Sequence, residues 1–479
     1  MIRGGIMEEG LMYTRHRTQH AHLAGSDQFL SPPLDPAGRI IDVSDRMLLC
    51  ASTNMRNEVV VGSADHALYS IDVNDGRQRH ITMYGKTNGH TDWVTTVTHL
   101  PNGKVLSGAM DGKLCLWSEK SRSQCTDLYR DSIHPISKVV SDTRNNLAMS
   151  CSYDGSIAVW NFDQAPTRAV GRSQAGQSQS QALVPVSMLA AHTEPVLEIG
   201  FRGDTCVSGD KTGSLILWDL TTCKPRTRFR AHPGPITGID CLEDRNTIIT
   251  CGTDGFVKIW DPRSSGSGMV AKIPAHVEGA PQAQAPQKKT AWGEPATGGR
   301  SSGSSGSSGG GRMGAGRGAG RGARGSMTSP QGRGPGAGAA PSGGASAISC
   351  MAVACSRGSC SDAAYIVTGS GSASDSSLAV LDLRQGGKPA ARWAHHRNGI
   401  YALCLVGDQC VLSGDGMGTL LSHHLLASSL DTPRACLKYG VGASQNSAVR
   451  AINCLNGKIA TAGEDGKVLI FDFDSSICK

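Results

Sequence analysis

One unit recurs along the chain, in a form that leaves few folds open. GHTDWVTTVTHLPNGKVLSGAMDGKLCLWS (89–118), HPISKVVSDTRNNLAMSCSYDGSIAVWN (134–161), HTEPVLEIGFRGDTCVSGDKTGSLILWD (192–219) and HPGPITGIDCLEDRNTIITCGTDGFVKIWD (232–261) align almost without adjustment. Histidine to tryptophan is 27, 26, 26 and 28 residues. Between them lie a β-rich run, a turn, a second β-rich run and a third run that ends in the tryptophan. Short apolar or alternating runs bounded by Asn-Gly and Asp-Gly signal an all-β chain. A fixed period of this kind signals stacked repeats, because one short β unit cannot bury both of its faces alone.

These residues resemble the WD40-repeat family, whose members form β-propellers of four-stranded blades. With that pattern in hand, weaker copies become visible at 57–72 (starting near Met47), 347–384, 396–425 and 447–474. The resemblance covers about 46–276 and 347–474. It implies an all-β propeller of eight blades, seven plus one irregular repeat being the alternative. Residues 1–45 form an N-terminal tail expected to supply the closing strand, from LMYTRH or RIIDV. Blades 1–5 fall in 46–276 with a loop insertion at 163–185, and blades 6–8 in 347–479. Residues 277–346 form a low-complexity insertion.

In such families a histidine, a hydroxyl, a turn aspartate and a tryptophan make one hydrogen-bonded network per blade. Carried onto this sequence, the resemblance implies His90, Ser107, Asp111 and Trp117, then His134, Ser150, Asp154 and Trp160, then His232, Thr250, Asp254 and Trp260. Partial sets are His192, Ser208 and Trp218, with Thr212 in the aspartate slot, and Thr461 with Asp465. In the 396–425 unit Met417 takes the aspartate slot and His423 the tryptophan slot. Ile71, Leu381 and Phe471 replace tryptophan elsewhere. These incomplete blades are expected to be held mostly by apolar packing. A carboxylate in a tight turn needs partners, and imidazole plus hydroxyl supply them, so these residues read as structural.

The insertion, which contains SSGSSGSSGGGRMGAGRGAGRGARG, cannot bury enough apolar surface to offset the entropy of folding and is expected to be disordered. It carries eight Lys/Arg against Glu278 and Glu294, net +6 of the chain's +7, so the remainder is almost neutral. Its Arg312, Arg317, Arg321, Arg324 and Arg333 suggest a weak RNA contact, but Trp292 is its one aromatic residue and sits before the arginine cluster, so base stacking is nearly absent.

Three motifs mimic chemistry. Gly306–Gly310 fits G-x-S-x-G and Gly320–Gly325 fits G-x-G-x-x-G, yet both lie in the low-complexity insertion, without the strand and helix that such loops require. Tyr84-Gly85-Lys86-Thr87 ends like a phosphate loop, but His80 stands where its first glycine belongs. The cysteine spacings at Cys350, Cys355 and Cys360, and at Cys404 and Cys410, are not those of a zinc site. No export signal or apolar span of membrane length is present, so the sixteen thiols are expected to be reduced and the chain cytoplasmic. No enzyme activity, cofactor, metal or small-molecule substrate is expected.

The expected function is a scaffold or adaptor that binds other proteins, with loops at 109–113, 152–156 and 252–256 among the candidate contacts. A sharper reading rests on Trp260-Asp261-Pro262-Arg263, which matches the W-D-x-R box of substrate receptors of cullin-RING ubiquitin ligases. Leu381-Asp382-Leu383-Arg384 is a degenerate second copy. Arg263 and Arg384 are then the candidate partner contacts. A ciliary or cytoskeletal structural component is a third reading.

Overall fold

Runs such as Val94–His99 (VTTVTH) and Val105–Ala109 (VLSGA) are rich in β-branched and apolar residues and do not alternate. Every residue of both is buried, as for strands sandwiched between two sheets. The computed structural model describes residues 38–54, 56–75, 79–85, 88–119, 121–122, 125–128, 134–142, 147–162, 184–202, 205–242, 247–263, 268–277, 345–355, 364–406, 410–425, 435–438, 447–455 and 457–472. These build eight four-stranded antiparallel sheets.

Seven sheets are formed by consecutive strands. Blade 1 runs from Leu48 to Met83, blade 2 from Val94 to Leu128, blade 3 from Ile136 to Ala190 and blade 4 from Val196 to Arg230. Blade 5 runs from Ile236 to Pro274, blade 6 from Ile348 to Trp393 and blade 7 from Ile400 to Lys438. Blade 8 takes three strands from Val449–Asp472 and its outer strand from Arg39–Asp42, with Ile40 opposite Leu469 and Ile41 opposite Val468. The first strand of each blade packs against the first strand of the next, and that of blade 8 against that of blade 1, which closes the ring.

The energy of the ring lies in the gaps between blades. Eight apolar clusters occupy them, one per gap. Trp117 and Cys115 of blade 2, for example, pack with Val60 and Leu68 of blade 1. Every first strand also carries a register shift at its second residue, as between Ile236 and Gly238. A bulge there increases local twist where the blade approaches the axis.

The insertion is rooted at one point. Val277 and Ala345 form an isolated antiparallel bridge, and Ser346 N donates to His276 O at 2.8 Å. The arginines named for RNA contact lie outside the described residues.

Candidate functional site

Between the second and third strands of most blades the chain turns through an Asp-Gly or Thr-Gly pair, and glycine is needed there. Gly213 has φ +86°, and a Cβ on it would lie 2.0 Å from His232 O of the neighbouring connection. The turn therefore lies against the segment that carries the next histidine, and main-chain bonds from Ala231 N and His232 N to Gly213 O fasten the two together, while the side-chain networks tie each histidine to the turn of its own blade.

In blade 5 the network is complete. His232 Nε2 lies 2.9 Å from Thr250 Oγ1, and Nδ1 lies 2.9 Å from Asp254 Oδ1. Trp260 Nε1 donates to the same Thr250 hydroxyl at 2.9 Å. Burial opposes ionisation of Asp254, but the hydrogen bond from His232 and the charge of Lys258 outweigh it and hold the carboxyl below its usual range. Burial pushes the His232 pKa down. Blade 2 repeats this arrangement. His90 Nε2 lies 2.7 Å from Ser107 Oγ, which accepts from Trp117 Nε1 at 2.8 Å, while Asp111 lies 3.5 Å from His90 Nδ1.

Two expectations are corrected. Blades 4 and 7 do not lack a carboxylate. Asp210 Oδ2 lies 2.9 Å from His192 Nδ1, and Asp415 Oδ2 lies 3.1 Å from His396 Nδ1. Each aspartate sits at the end of the second strand, two residues after the serine instead of four, so Thr212 and Met417 are not the relevant positions. Ser208 accepts Trp218 Nε1 at 2.7 Å and lies 2.7 Å from His192 Nε2, so blade 4 is complete. The shared Ser-Gly-Asp at 208–210 and 413–415 is the signal that locates them.

The second correction concerns His134, which is exposed. The buried histidines of blades 2, 4, 5 and 7 stand four residues before their first strand, whereas His134 stands only two before Ile136. Trp160 still donates to Ser150 Oγ at 3.0 Å, and Asp154 accepts from Ser156 N at 2.8 Å.

Blade 6 contains a network that spacing could not reveal. His276, before the insertion, lies 3.0 Å from Asp375 and 3.1 Å from Thr368 Oγ1, both beyond it. Blade 1 substitutes Ser44, whose Oγ donates to Asp65 Oδ2 at 2.5 Å, and Tyr69 OH donates to the same oxygen at 2.5 Å. In blade 8 Asp465 accepts from Lys467 N at 3.2 Å, and Thr461 is buried. In blade 7 His423 fills the tryptophan slot and stacks on Trp393 of blade 6, with ring centroids 4.2 Å apart.

Arg263 and Arg384 follow the third strands of adjacent blades, and each clasps the aspartate two residues earlier. Arg263 Nε and Nη2 donate to Asp261 at 3.0 and 2.8 Å, and its backbone N donates to Oδ1 at 2.9 Å. Arg384 repeats this on Asp382 at 2.9, 2.7 and 2.9 Å and adds a 2.9 Å bond to Tyr365 OH. The two differ in availability, since the Arg263 side chain is 65% exposed and that of Arg384 40%. Met269 and Val270, in the strand after Arg263, are 50% and 66% exposed. Arg263 follows the third strand of blade 5, and Met269 and Val270 open the outer strand that pairs with it. Sequence reasoning missed the apolar pair, because MVAKIP reads as an ordinary strand.

Among the described residues, no group of three His, Cys, Asp or Glu side chains is placed to hold a metal ion, and no helix is long and apolar enough to cross a membrane.

The family model described as "WD domain, G-beta repeat" (WD40) matches residues 82–118, 126–161 and 223–261. The chain carries WD40 repeats at these positions. Its WD40 region is similar to Mitochondrial division protein 1 of Aspergillus clavatus, 25% identical over 219 residues, 36% of this chain and 32% of that one. A shorter stretch of 74 residues is 39% identical to ASTRA-associated protein 1 of Clavispora lusitaniae, 15% of this chain and 20% of that protein. The match thus spans a third or less of these curated relatives. The WD40 ring superposes on Chaetomium thermophilum Sqt1, solved bound to the N-terminus of the ribosomal protein L10. The TM-score is 0.62 at 14% identity, covering 91% of this chain and 100% of that one. A computationally designed protein, Ika8, gives a TM-score of 0.59 at 16% identity, covering 90% and 98%. At such identities the shared property is the fold.

Proposed function

We propose that this chain is a non-catalytic WD40 scaffold that binds other proteins, and that the blade 5 edge formed by Arg263, Met269 and Val270 is one docking surface. The exposure of that edge carries the proposal. Exposed large apolar side chains beside an arginine form the usual core of a protein contact, where an anchor is desolvated and the cation confers direction. The histidine networks are structural under this reading, because their polar atoms are spent on one another. Sqt1, with the N-terminus of L10 bound, offers a precedent for a propeller holding a peptide segment. Among the described residues, twelve cysteines, Cys50 and Cys251 among them, form no disulfide, which fits residence in a reducing compartment such as the cytoplasm.

Repetition of the Asp-x-Arg clasp on two neighbouring blades favours a second reading, a substrate receptor of a cullin-RING ligase. Both are tested by affinity purification from native cells with wild type and Arg263→Ala/Met269→Ser/Val270→Ser. A scaffold loses a defined set of partners with the variant, and a receptor loses the ligase adaptor among them. Identical partner sets in the two purifications would remove this edge from the proposal.

A further inference from the structure

The outer strand of blade 4, Lys224–Arg230 (KPRTRFR), has no counterpart among the described outer strands. All its residues except Phe229 are exposed, and it carries four cations and no acid. The outer strands of blades 1, 2, 3, 5, 7 and 8 carry at most one Lys or Arg, and that of blade 6 carries two, one of them paired to Asp375. Such concentration is notable in a chain whose charge outside 277–346 is close to neutral.

The charges are held in place but not neutralised. Arg228 Nη1 donates to Ala191 O at 3.0 Å, and Arg230 Nη2 donates to Pro233 O at 2.8 Å. These partners are main-chain carbonyls, which orient a guanidinium without cancelling its charge. Lys224 stands opposite Asp219 in register, and the pKa of that carboxyl is lowered by its hydrogen bond from Thr221 and, to a smaller degree, by Arg226. Asp219 thus sits at the Lys224 end of the strand, while Arg228 and Arg230 lie opposite Ile216 and Ser214 at the other end. Phe229 points the other way and packs on Trp260 of blade 5 at 4.8 Å.

As the last strand of its sheet, this one has one hydrogen-bonding side directed away from the ring. Edge strands commonly carry a charge that keeps other chains from pairing. One lysine suffices for that purpose, and the other seven edges manage with less than four cations. We infer that the outer strand of blade 4 is a docking edge for an acidic, extended polypeptide segment, which pairs along Lys224–Arg230 and sets its carboxylates against Arg226, Arg228 and Arg230. Strand addition supplies main-chain hydrogen bonds, and alternate side chains of the added strand, about 7 Å apart, match the spacing of Arg228 and Arg230, with Arg226 beyond them at a register shift. RNA fits less well, because the strand's one aromatic ring is turned inward and offers no stacking surface. The chain's own 277–346 segment is excluded as occupant by its charge of the same sign.

The test uses the full chain and a fluorescein-labelled eight-residue peptide of alternating Glu and Val, read by anisotropy at low salt. Lys224→Glu/Arg226→Glu changes two exposed side chains that make no hydrogen bond to the ring. It should weaken binding at least tenfold while leaving the melting temperature unchanged. Arg46→Glu/Lys388→Glu, a matched reversal elsewhere, should stay within twofold of wild type. The same peptide with Pro in place of Val, which cannot donate to an edge, should bind several-fold more weakly. Undetectable binding to wild type, equal loss in both double variants, or equal binding of the proline peptide would overturn the inference. So would a uridine dodecamer that binds more tightly than the peptide and is lost in the first variant.

Discussion

Asp210 Oδ2 lies 2.9 Å from His192 Nδ1 although Thr212 occupies the turn position from which Asp254 reaches His232. The same geometry is thus reached from two points in the chain. Asp210 Oδ1 also accepts from Thr212 N and Ser214 N, both at 2.9 Å, so one buried carboxylate satisfies a turn and an imidazole together. Asp210→Ala leaves these donors stranded and should cost about 2–4 kcal/mol in urea denaturation, whereas Thr212→Ala should cost less than about 1 kcal/mol. Equal losses would return the network to position 212.

Trp260 is 3% exposed and packs in the gap between blades 4 and 5 while donating to Thr250. Trp260→Ala should cost about 3–5 kcal/mol, from the lost burial and the cavity left behind. Urea unfolding followed by far-UV circular dichroism measures it, and near-wild-type stability would contradict the packing described.

His423 gives blade 7 a pH response. Burial, helped by the nearby His395 and His396, pushes its pKa down to about 3. In the unfolded chain it titrates near the ordinary value of about 6.5. Between these values the unfolded state holds the extra proton, so the stabilisation is full above pH 6.5 and is lost as pH falls toward 3. His423→Phe keeps a ring for Trp393 to stack on and removes the titration. Its stability should therefore fall less steeply between pH 6 and 4, by up to about 1.4 kcal/mol per pH unit. Urea midpoints at pH 7, 5 and 4 decide it, and parallel profiles would contradict the assignment.

The two arginine clasps should separate stability from binding. Asp382 is buried and loses its partner in Arg384→Ala, which should cost about 1–2 kcal/mol. Arg263→Ala removes an exposed group and should leave the melting temperature unchanged. Thermal melts of the two variants side by side check the contrast.

Among the described residues, nine cysteines are buried, and burial raises the pKa of Cys50, Cys206 and Cys251 among them. A thiol that does not ionise does not react. These nine should resist iodoacetamide at pH 8 in the native protein and label fully once it is unfolded, as peptide mass spectrometry would show. Rapid native labelling of Cys251 would be inconsistent with a closed gap between blades 5 and 6.

The repeat made the blades legible, because burial on both faces imposes one pattern on every third strand and Trp117, Trp160, Trp218 and Trp260 mark it openly. The edge at Arg263 was legible as a motif, but its apolar neighbours were not, since exposure of Met269 and Val270 depends on what fails to cover them. Networks were readable where spacing is local. His276 was not, because its partners Asp375 and Thr368 stand on the far side of the insertion. Asp210 and Asp415 were hidden by alignment to the commoner position, and His134 was overread because a histidine near a strand looks much like one four residues before it.

The pairing of Arg39–Asp42 with Lys467–Ile470 has a consequence for how the molecule is made. Seven sheets can form from strands that follow one another off the ribosome. The eighth must hold Arg39–Asp42 in reserve until Val449–Asp472 has been synthesised. Until then blade 1 offers an apolar wall built from Leu48, Val59, Val61 and Tyr69, which Ala451, Ala460, Val468 and Ile470 of blade 8 cover in the closed ring. Closure of the ring is therefore a late sealing step, and the interval before it is when a newborn chain is most exposed to mispairing.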